Sequence, residues 1–187
     1  VLPDGSGLDI LKKFRQGGNA VPVLILSALG GIIDRVSGEV VQEYDFRDIL
    51  DETRAPNTHF HPDIKNVNNT DWMHANAAFY YEAENLIVVS AAVQSQVVAI
   101  EAMTSEIKWI LGPHEGYEGS SEFLKQYLLT PVGSNFEWQW AQHDPMLLPD
   151  FDSNPDTVDI LLFDNGQSRS FDKEHEVPPD QNYSRGV

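Results

Sequence analysis

The sequence predicts a mainly β protein, a partial β-propeller of about two to three four-stranded blades preceded by a short α/β fragment. Two observations carry this prediction. Beyond residue 30, short apolar runs alternate with polar turns, as is typical of sandwiches, barrels and propellers. Two pairs of segments also resemble each other at spacings of 67 and 69 residues, which indicates one blade per repeat.

The first 30 residues differ from the rest in charge and in periodicity. They carry three basic and two acidic side chains, whereas the remainder carries nine basic and 27 acidic ones. Apolar residues recur at helical spacing over residues 8–14, and Gly17 ends the predicted helix. The uninterrupted apolar run at residues 22–26 predicts a buried parallel strand. We therefore divide the chain into residues 1–30 and residues 31–187.

Four short apolar runs in the second part predict strands, and they occupy residues 86–90, 96–100, 107–111 and 159–163. The first internal repeat pairs residues 33–41 with residues 100–108. The second pairs the segment at Trp72 with the segment at Trp140, which places His74 and His143 at matching positions. In a propeller, these two histidines would lie on the inner strands of adjacent blades and face the central channel.

The composition argues against several classes of protein. The formal net charge is −17, whereas a nucleic-acid groove or a site for anionic lipid needs clustered basic residues. The absence of cysteine excludes a disulfide scaffold, a thiolate nucleophile and a cysteine-based zinc site. No apolar run reaches the roughly 18 residues of a membrane-spanning helix, and no signal peptide is visible. We therefore expect neither nucleic acid nor a membrane as a partner.

The N-terminal fragment resembles a response-regulator receiver domain. The resemblance is carried by residues 2–9 (LPDGSGLD), the helix that follows and residues 22–28 (PVLILSA). It places Ser27 at the hydroxyl position that senses phosphorylation in that family. The acidic pair and the lysine that hold Mg²⁺ and the acyl phosphate have no counterpart in this fragment, so we expect it to be chemically silent.

Residues 31–187 resemble the C-terminal part of the bacterial arylsulfate sulfotransferases, a family of β-propeller enzymes. Six segments follow in the family's order: residues 71–77 (DWMHANA), 106–116 (EIKWILGPHEG), 128–132 (LLTPV), 138–143 (WQWAQH), 163–166 (FDNG) and 183–185 (YSR). The resemblance implies an exported, periplasmic enzyme that uses no cofactor, because no nucleotide sulfate donor takes part.

The chemistry that the resemblance implies is transfer of a sulfuryl group from an aryl sulfate to a phenol through a sulfohistidine. His143 is then the nucleophile, and His74 stabilises the sulfuryl oxygens or protonates the leaving oxygen. A neutral imidazole has a lone pair for attack at sulfur. The phenolate leaves readily because phenols have a pKa of about 10. The covalent intermediate replaces one difficult step by two easier ones.

The site that the resemblance implies is incomplete. Ala92 stands where the family has an arginine, whose planar fork would bind two sulfate oxygens. Losing such a contact costs on the order of 3 kcal/mol, or about a hundredfold in rate. A further family histidine belongs to an earlier blade that this chain lacks, and His59 and His61 lie in the wrong context to replace it.

Three further residues belong to the candidate site. Asn76 and Asn165 are expected to bind substrate or orient the histidines, although turn or strand hydrogen bonding explains them equally well. Arg185 would bring positive charge to the substrate, with an ion pair at a strand end as the alternative. Residues 150–156 have the acidic spacing of a calcium loop, but Pro155 stands where such a loop needs glycine. We therefore expect an acidic turn and no metal site.

Two alternatives to the enzyme stay open. One is a non-catalytic propeller fragment that binds or packs, which Ala92 and the missing blades favour. The other is a truncated receiver module that acts only in interactions. Because an excised arc of blades has two unpaired sheet edges, we also predict self-association through these open blade edges.

Overall fold

The computed structural model describes residues 13, 16–17, 29–33, 40–52, 54, 72–151, 153–171 and 173–187. The chain divides into two compact units, Val1–Asp45 and Phe46–Val187. In the described part of the first unit, β1 (Leu29–Ile33) and β2 (Val40–Asp45) pair as an antiparallel hairpin.

A four-stranded antiparallel sheet forms the centre of the second unit, and its strands follow one another in chain order. They are β3 (Ala75–Tyr81), β4 (Leu86–Ala91), β5 (Gln96–Glu101) and β6 (Ile107–Leu111). Three tight turns join them, and Asn85, Ser95 and Ser105 have left-handed φ values of 52°, 49° and 64° there. Short polar residues are typical of such turns because their side chains bond locally to the main chain.

A three-stranded antiparallel sheet follows, in the order β7 (His143–Leu147), β8 (Ile160–Asp164) and β9 (Arg185–Gly186). Strand β7 lies against β3 and β4. The connection from β6 to β7 contains a 3₁₀ helix, Gly119–Tyr127, and a second 3₁₀ helix, Lys173–His175, lies between β8 and β9. Among the described residues, no helix has the length and apolar character that crossing a bilayer requires.

The core of the second unit lies between the central sheet and β8. Val88, Val97, Ala99 and Trp109 of the sheet cluster with Leu162 of β8. Every residue from 87 to 100 is buried, which explains why β4 and β5 read as uninterrupted apolar runs. Each buried valine contributes about 1.5–3 kcal/mol relative to an exposed one.

The repeat in the sequence has a counterpart in the strand register. Ile33 pairs with Val40 in the first unit, and Ile100 pairs with Ile107 in the second. Each hairpin also has an irregularity immediately before its isoleucine. The two hairpins, 67 residues apart, therefore share both register and bulge position.

The prediction of a mainly β fold is confirmed. The four predicted strands correspond to β4, β5, β6 and β8 within one residue. The central sheet has the strand order of a propeller blade. The arrangement of such blades around a central channel stays a prediction. The predicted strand at residues 22–26 lies outside the described residues. So does most of the predicted helix, apart from a helical bond of 3.3 Å from the Gly17 N–H to the Lys13 carbonyl.

Candidate functional site

The two candidate histidines lie at equivalent strand starts. His74 immediately precedes β3, and His143 is the first residue of β7; both are half-buried. His74 has a φ of 47°, and His143 is flanked by Ala141 and Asp144 at 55° and 48°. A register irregularity follows each histidine. Bulges of this kind redirect side chains and are frequent beside active sites.

The two histidine segments are joined by a hydrogen bond from Asn76. Its Nδ2 donates to the main-chain carbonyl of Gln142 at 2.8 Å. Asn76 comes two residues after His74, and Gln142 comes directly before His143. The structure therefore brings together the parts of the chain that carry three of the five predicted site residues.

The ring of His143 is held by its own turn. Nδ1 lies 3.2 Å from the Ala141 carbonyl oxygen. A carbonyl oxygen only accepts, so this contact is a hydrogen bond when Nδ1 carries the proton, and Nε2 of the neutral ring then keeps its lone pair. This is the tautomer that nucleophilic attack through Nε2 requires.

Ala92 lies fully buried in the turn between β4 and β5. Its N–H donates to the His74 carbonyl at 3.3 Å. The position at which the resembling family carries arginine is therefore next to His74, where this chain has only a methyl group.

Arg54 is a buried arginine that no pattern in the sequence indicates, and it is 2% exposed. Its guanidinium donates to the carbonyls of Gln94 (2.6 Å), Pro113 (2.9 Å) and Glu115 (3.2 Å) and to Gln96 Oε1 (3.4 Å). Nε adds a bond to Glu115. Burial lowers the pKa of Arg54. The guanidinium of Arg54 is thus hydrogen-bonded to protein oxygens in the described structure. Arg54 therefore does not supply the sulfate contact that the family's arginine would make at the position of Ala92.

Arg185 directs its guanidinium toward two carboxylates. Nε donates to Asp164 Oδ2 at 3.0 Å, and Nη1 donates to Glu137 Oε2 at 2.6 Å. Tyr183 also donates to Glu137 at 2.7 Å. This bond lowers the pKa of Glu137 and raises that of Tyr183. Arg185 therefore takes part in an ion-pair cluster at the start of β9.

Asn165 follows Asp164 at the end of β8. Its main-chain carbonyl accepts a hydrogen bond from Ser184 Oγ at 3.1 Å. Phe163, two residues earlier, pairs with His143 across the β7–β8 ladder. Asn165 thus lies just beyond the strand position opposite the candidate nucleophile.

His114 and the acidic segment at residues 150–156 are each bonded within the connection that carries them. His114 is exposed, contacts the Leu129 carbonyl through Nε2 at 3.0 Å and lies against the Trp138 ring. The acidic segment bonds to its own turn, since Asp150 Oδ1 accepts the Ser153 N–H at 2.6 Å. No group of three potential metal ligands occurs among the described residues. Ser27, His59 and His61 lie outside the described residues.

A groove of about 520 Å³ opens between β6, β8 and the loop after the first 3₁₀ helix. Apolar side chains form much of its wall, including Leu111, Phe136, Trp138 and Leu162. Neither candidate histidine lines it. The groove and the histidine pair are therefore separate features of the second unit.

Comparison with known proteins gave two findings. A family model described as "Arylsulfotransferase (ASST)" matches residues 31–187. The "Probable transcriptional regulatory protein SilR" of Salmonella typhimurium is 37% identical over 62 residues, which cover 29% of this chain and 27% of the relative. The chain thus spans about a quarter of the length of that curated relative.

Proposed function

The chain belongs to the arylsulfotransferase family, and we propose that it transfers a sulfuryl group from an aryl sulfate to a phenol through a covalent intermediate on His143. The observation that carries this proposal is the contact between His143 Nδ1 and the Ala141 carbonyl. It keeps the proton on Nδ1 and leaves the Nε2 lone pair for attack.

In the first step, the Nε2 lone pair forms a bond to sulfur while the bond from sulfur to the aryl oxygen breaks. The phenolate leaves with the electron pair of that bond, and the sulfuryl group remains on Nε2. In the second step, the oxygen of an acceptor phenol attacks sulfur and the electron pair of the sulfur–nitrogen bond returns to Nε2. The acceptor's phenolic proton passes to a base, and no oxidant or reductant is consumed.

His74 is proposed to act on the sulfuryl oxygens or on the leaving oxygen. Support comes from its equivalent place at the start of β3 and from the Asn76 bond that joins its segment to that of His143. Charge on the transferred group needs such partners, as it does in phosphoryl transfer. Asn76, Asn165 and Arg185 are proposed as supporting residues; Asn76 acts through Gln142 and Arg185 through Asp164.

Ala92 limits the rate that we expect. The methyl group beside the His74 carbonyl supplies no donor to the sulfuryl oxygens, and Arg54 is bound to protein carbonyls. Losing one donor from an oxyanion site costs about 10²–10³ in kcat. We therefore propose a slow sulfotransferase.

The test offers 4-nitrophenyl sulfate as donor and phenol as acceptor and measures nitrophenolate release. We expect slow release that depends on His143 and is abolished in His143→Ala. The matched control is His114→Ala, because His114 is an exposed loop histidine, and this variant should keep the wild-type rate. Release that persists in His143→Ala would contradict the proposal.

Ala92 also favours a second candidate function, a non-catalytic family fragment that only binds or packs. A folded chain that releases no nitrophenolate would support it. A further candidate function is an interaction made by the receiver-like segment, which the similarity to SilR favours.

Members of the arylsulfotransferase family are typically exported, and we propose a periplasmic location for this chain.

A further inference from the structure

Gln142, the residue before the proposed nucleophile, is fully buried and bonded at its main chain. Its carbonyl oxygen accepts from Asn76 Nδ2 at 2.8 Å and from Ser90 Oγ at 3.0 Å. A carbonyl oxygen has two lone pairs, so both are occupied. The Gln142 peptide group is therefore fixed by β3 on one side and by β4 on the other.

The side chain of Gln142 is bonded to β4 and to β5. Nε2 donates to Ser90 Oγ at 3.0 Å and to the Gln96 carbonyl at 2.8 Å. The Ser90 hydroxyl thus accepts from the side chain of Gln142 and donates to its carbonyl. This reciprocal pair is fully buried, where a lost hydrogen bond leaves a polar group unsatisfied.

The preceding residue, Ala141, is held in a conformation that alanine disfavours. Its φ is 55°, and its N–H donates to Ser95 Oγ at 3.2 Å. A left-handed conformation of this kind persists where the surroundings impose it. The Ala141 carbonyl is the group that accepts the Nδ1 proton of His143, so its direction depends on the bonds at residues 141 and 142.

We propose that Ser90 and Gln142 are positioning residues for His143. They hold the main chain of residues 141–143 so that the Ala141 carbonyl keeps the proton on Nδ1 and Nε2 stays unprotonated. This inference rests on the proposed function for its effect on rate, but the tautomer of the His143 ring can be measured without any activity.

The experiment compares the wild-type chain with Ser90→Ala and Ser121→Ala. Ser121 is the matched control because it is equally buried, with its hydroxyl bonded to the Glu118 carbonyl at 3.0 Å in the 3₁₀ helix. The first readout is the nitrogen NMR spectrum of the histidine rings above pH 8, with the His143 signals assigned by their loss in His143→Ala. The second is nitrophenolate release.

We expect the Nδ1–H form of His143 in the wild type and in Ser121→Ala, and a mixture with the Nε2–H form in Ser90→Ala. The kcat of Ser90→Ala should fall about tenfold, the equivalent of one hydrogen bond, with KM little changed. If Ser90→Ala does not fold, Asn76→Ala removes the other donor to the same carbonyl from a half-buried site and should give the same two changes.

Two results would overturn the inference. One is an Nε2–H ring in the wild type, and the other is an unchanged tautomer in a folded Ser90→Ala or Asn76→Ala. A wild type without nitrophenolate release but with the expected tautomers would instead refute the proposed function and leave the positioning role intact.

Discussion

Asp164 is a fully buried carboxylate whose two oxygens support different parts of the second unit. Oδ1 accepts the N–H groups of Trp140 and Gly166, each at 2.8 Å. Oδ2 accepts Arg169 at 3.1 Å and Arg185 at 3.0 Å. Trp140 lies three residues before His143, so this carboxylate fixes the start of the segment that carries the proposed nucleophile.

Asp164→Asn should destabilise the protein by about 3–5 kcal/mol, because it removes the buried carboxylate to which Arg169 and Arg185 both bond. Arg185 keeps Glu137 as its second carboxylate, whereas Arg169 loses the carboxylate to which it bonds. Urea denaturation measures this change. The matched control is Glu122→Gln, which breaks the exposed pair with Lys125 and should cost less than about 1 kcal/mol. Equal losses in the two variants would show that Asp164 does not have this role.

The sequence predicted some site residues and missed others for a physical reason. The Trp and His pattern placed His74 and His143 at matching positions because each belongs to a local segment at a strand start. The role of Ser90 could not be predicted, because its partner Gln142 lies 52 residues away. Arg54 was missed because its acceptors lie 40 to 61 residues further along the chain.

At the scale of elements, tight turns and close main-chain approaches set the geometry of the sheets. Gly166 has a φ of 70°, and its N–H donates to the Trp140 carbonyl at 3.0 Å. A Cβ at this position would press on the Tyr183 carbonyl and lie 2.7 Å from Arg169 Nη2. Gly166 is therefore required both for its left-handed conformation and for space.

Gly166→Ala should cost clearly more stability than Gly119→Ala. Gly119 has a similar φ of 59° with nothing within 4 Å of an added Cβ, so its alanine variant should lose only the conformational term of about 1–2 kcal/mol. Overpacking adds about 1–3 kcal/mol at Gly166. Thermal and urea unfolding of both variants measure the difference, and equal losses would contradict the steric argument.

Apolar runs predicted the strands that are buried, and they gave no signal for the strands whose register is irregular. Strands β4, β5, β6 and β8 were found because their apolar runs are buried. Strand β3 has no such run because its alanine-rich start with Asn76 lacks alternation, and β7 has none because Pro145 falls inside it. Strands at these places were expected only because the repeat put His74 and His143 on inner strands. These are the strands that begin at the two histidines.

At the scale of the whole molecule, β8 leaves one apolar face uncovered. Leu162 and Asp164 face inward, whereas Leu161 and Phe163 are 46% and 47% exposed. Met146, the partner of Leu161 on β7, is 51% exposed. Exposed adjoining apolar side chains of this kind favour association, so we extend the predicted self-association from the blade edges to this face.

Sedimentation velocity should show concentration-dependent association of the wild-type chain, and Leu161→Lys should reduce it by placing a charge in the apolar face. Met103→Lys is the matched control, because Met103 is 68% exposed in the β5–β6 turn, and it should associate like the wild type. A wild type that remains monomeric over the whole concentration range would contradict the prediction.

The boundary near residue 30 stays a prediction at this scale. The family match begins at residue 31, whereas the first compact unit extends to Asp45 and includes the β1–β2 hairpin. That hairpin shares its register and bulge with β5–β6, and we therefore assign it to the repeat rather than to the receiver-like fragment.

The most direct test of a sulfuryl intermediate on His143 is the mass of the protein after brief exposure to 4-nitrophenyl sulfate without an acceptor. We expect a gain of one sulfuryl group, located on the peptide that contains His143 and lost when phenol is added. A folded protein that gains no sulfuryl group, or carries it on a residue other than His143, would contradict it.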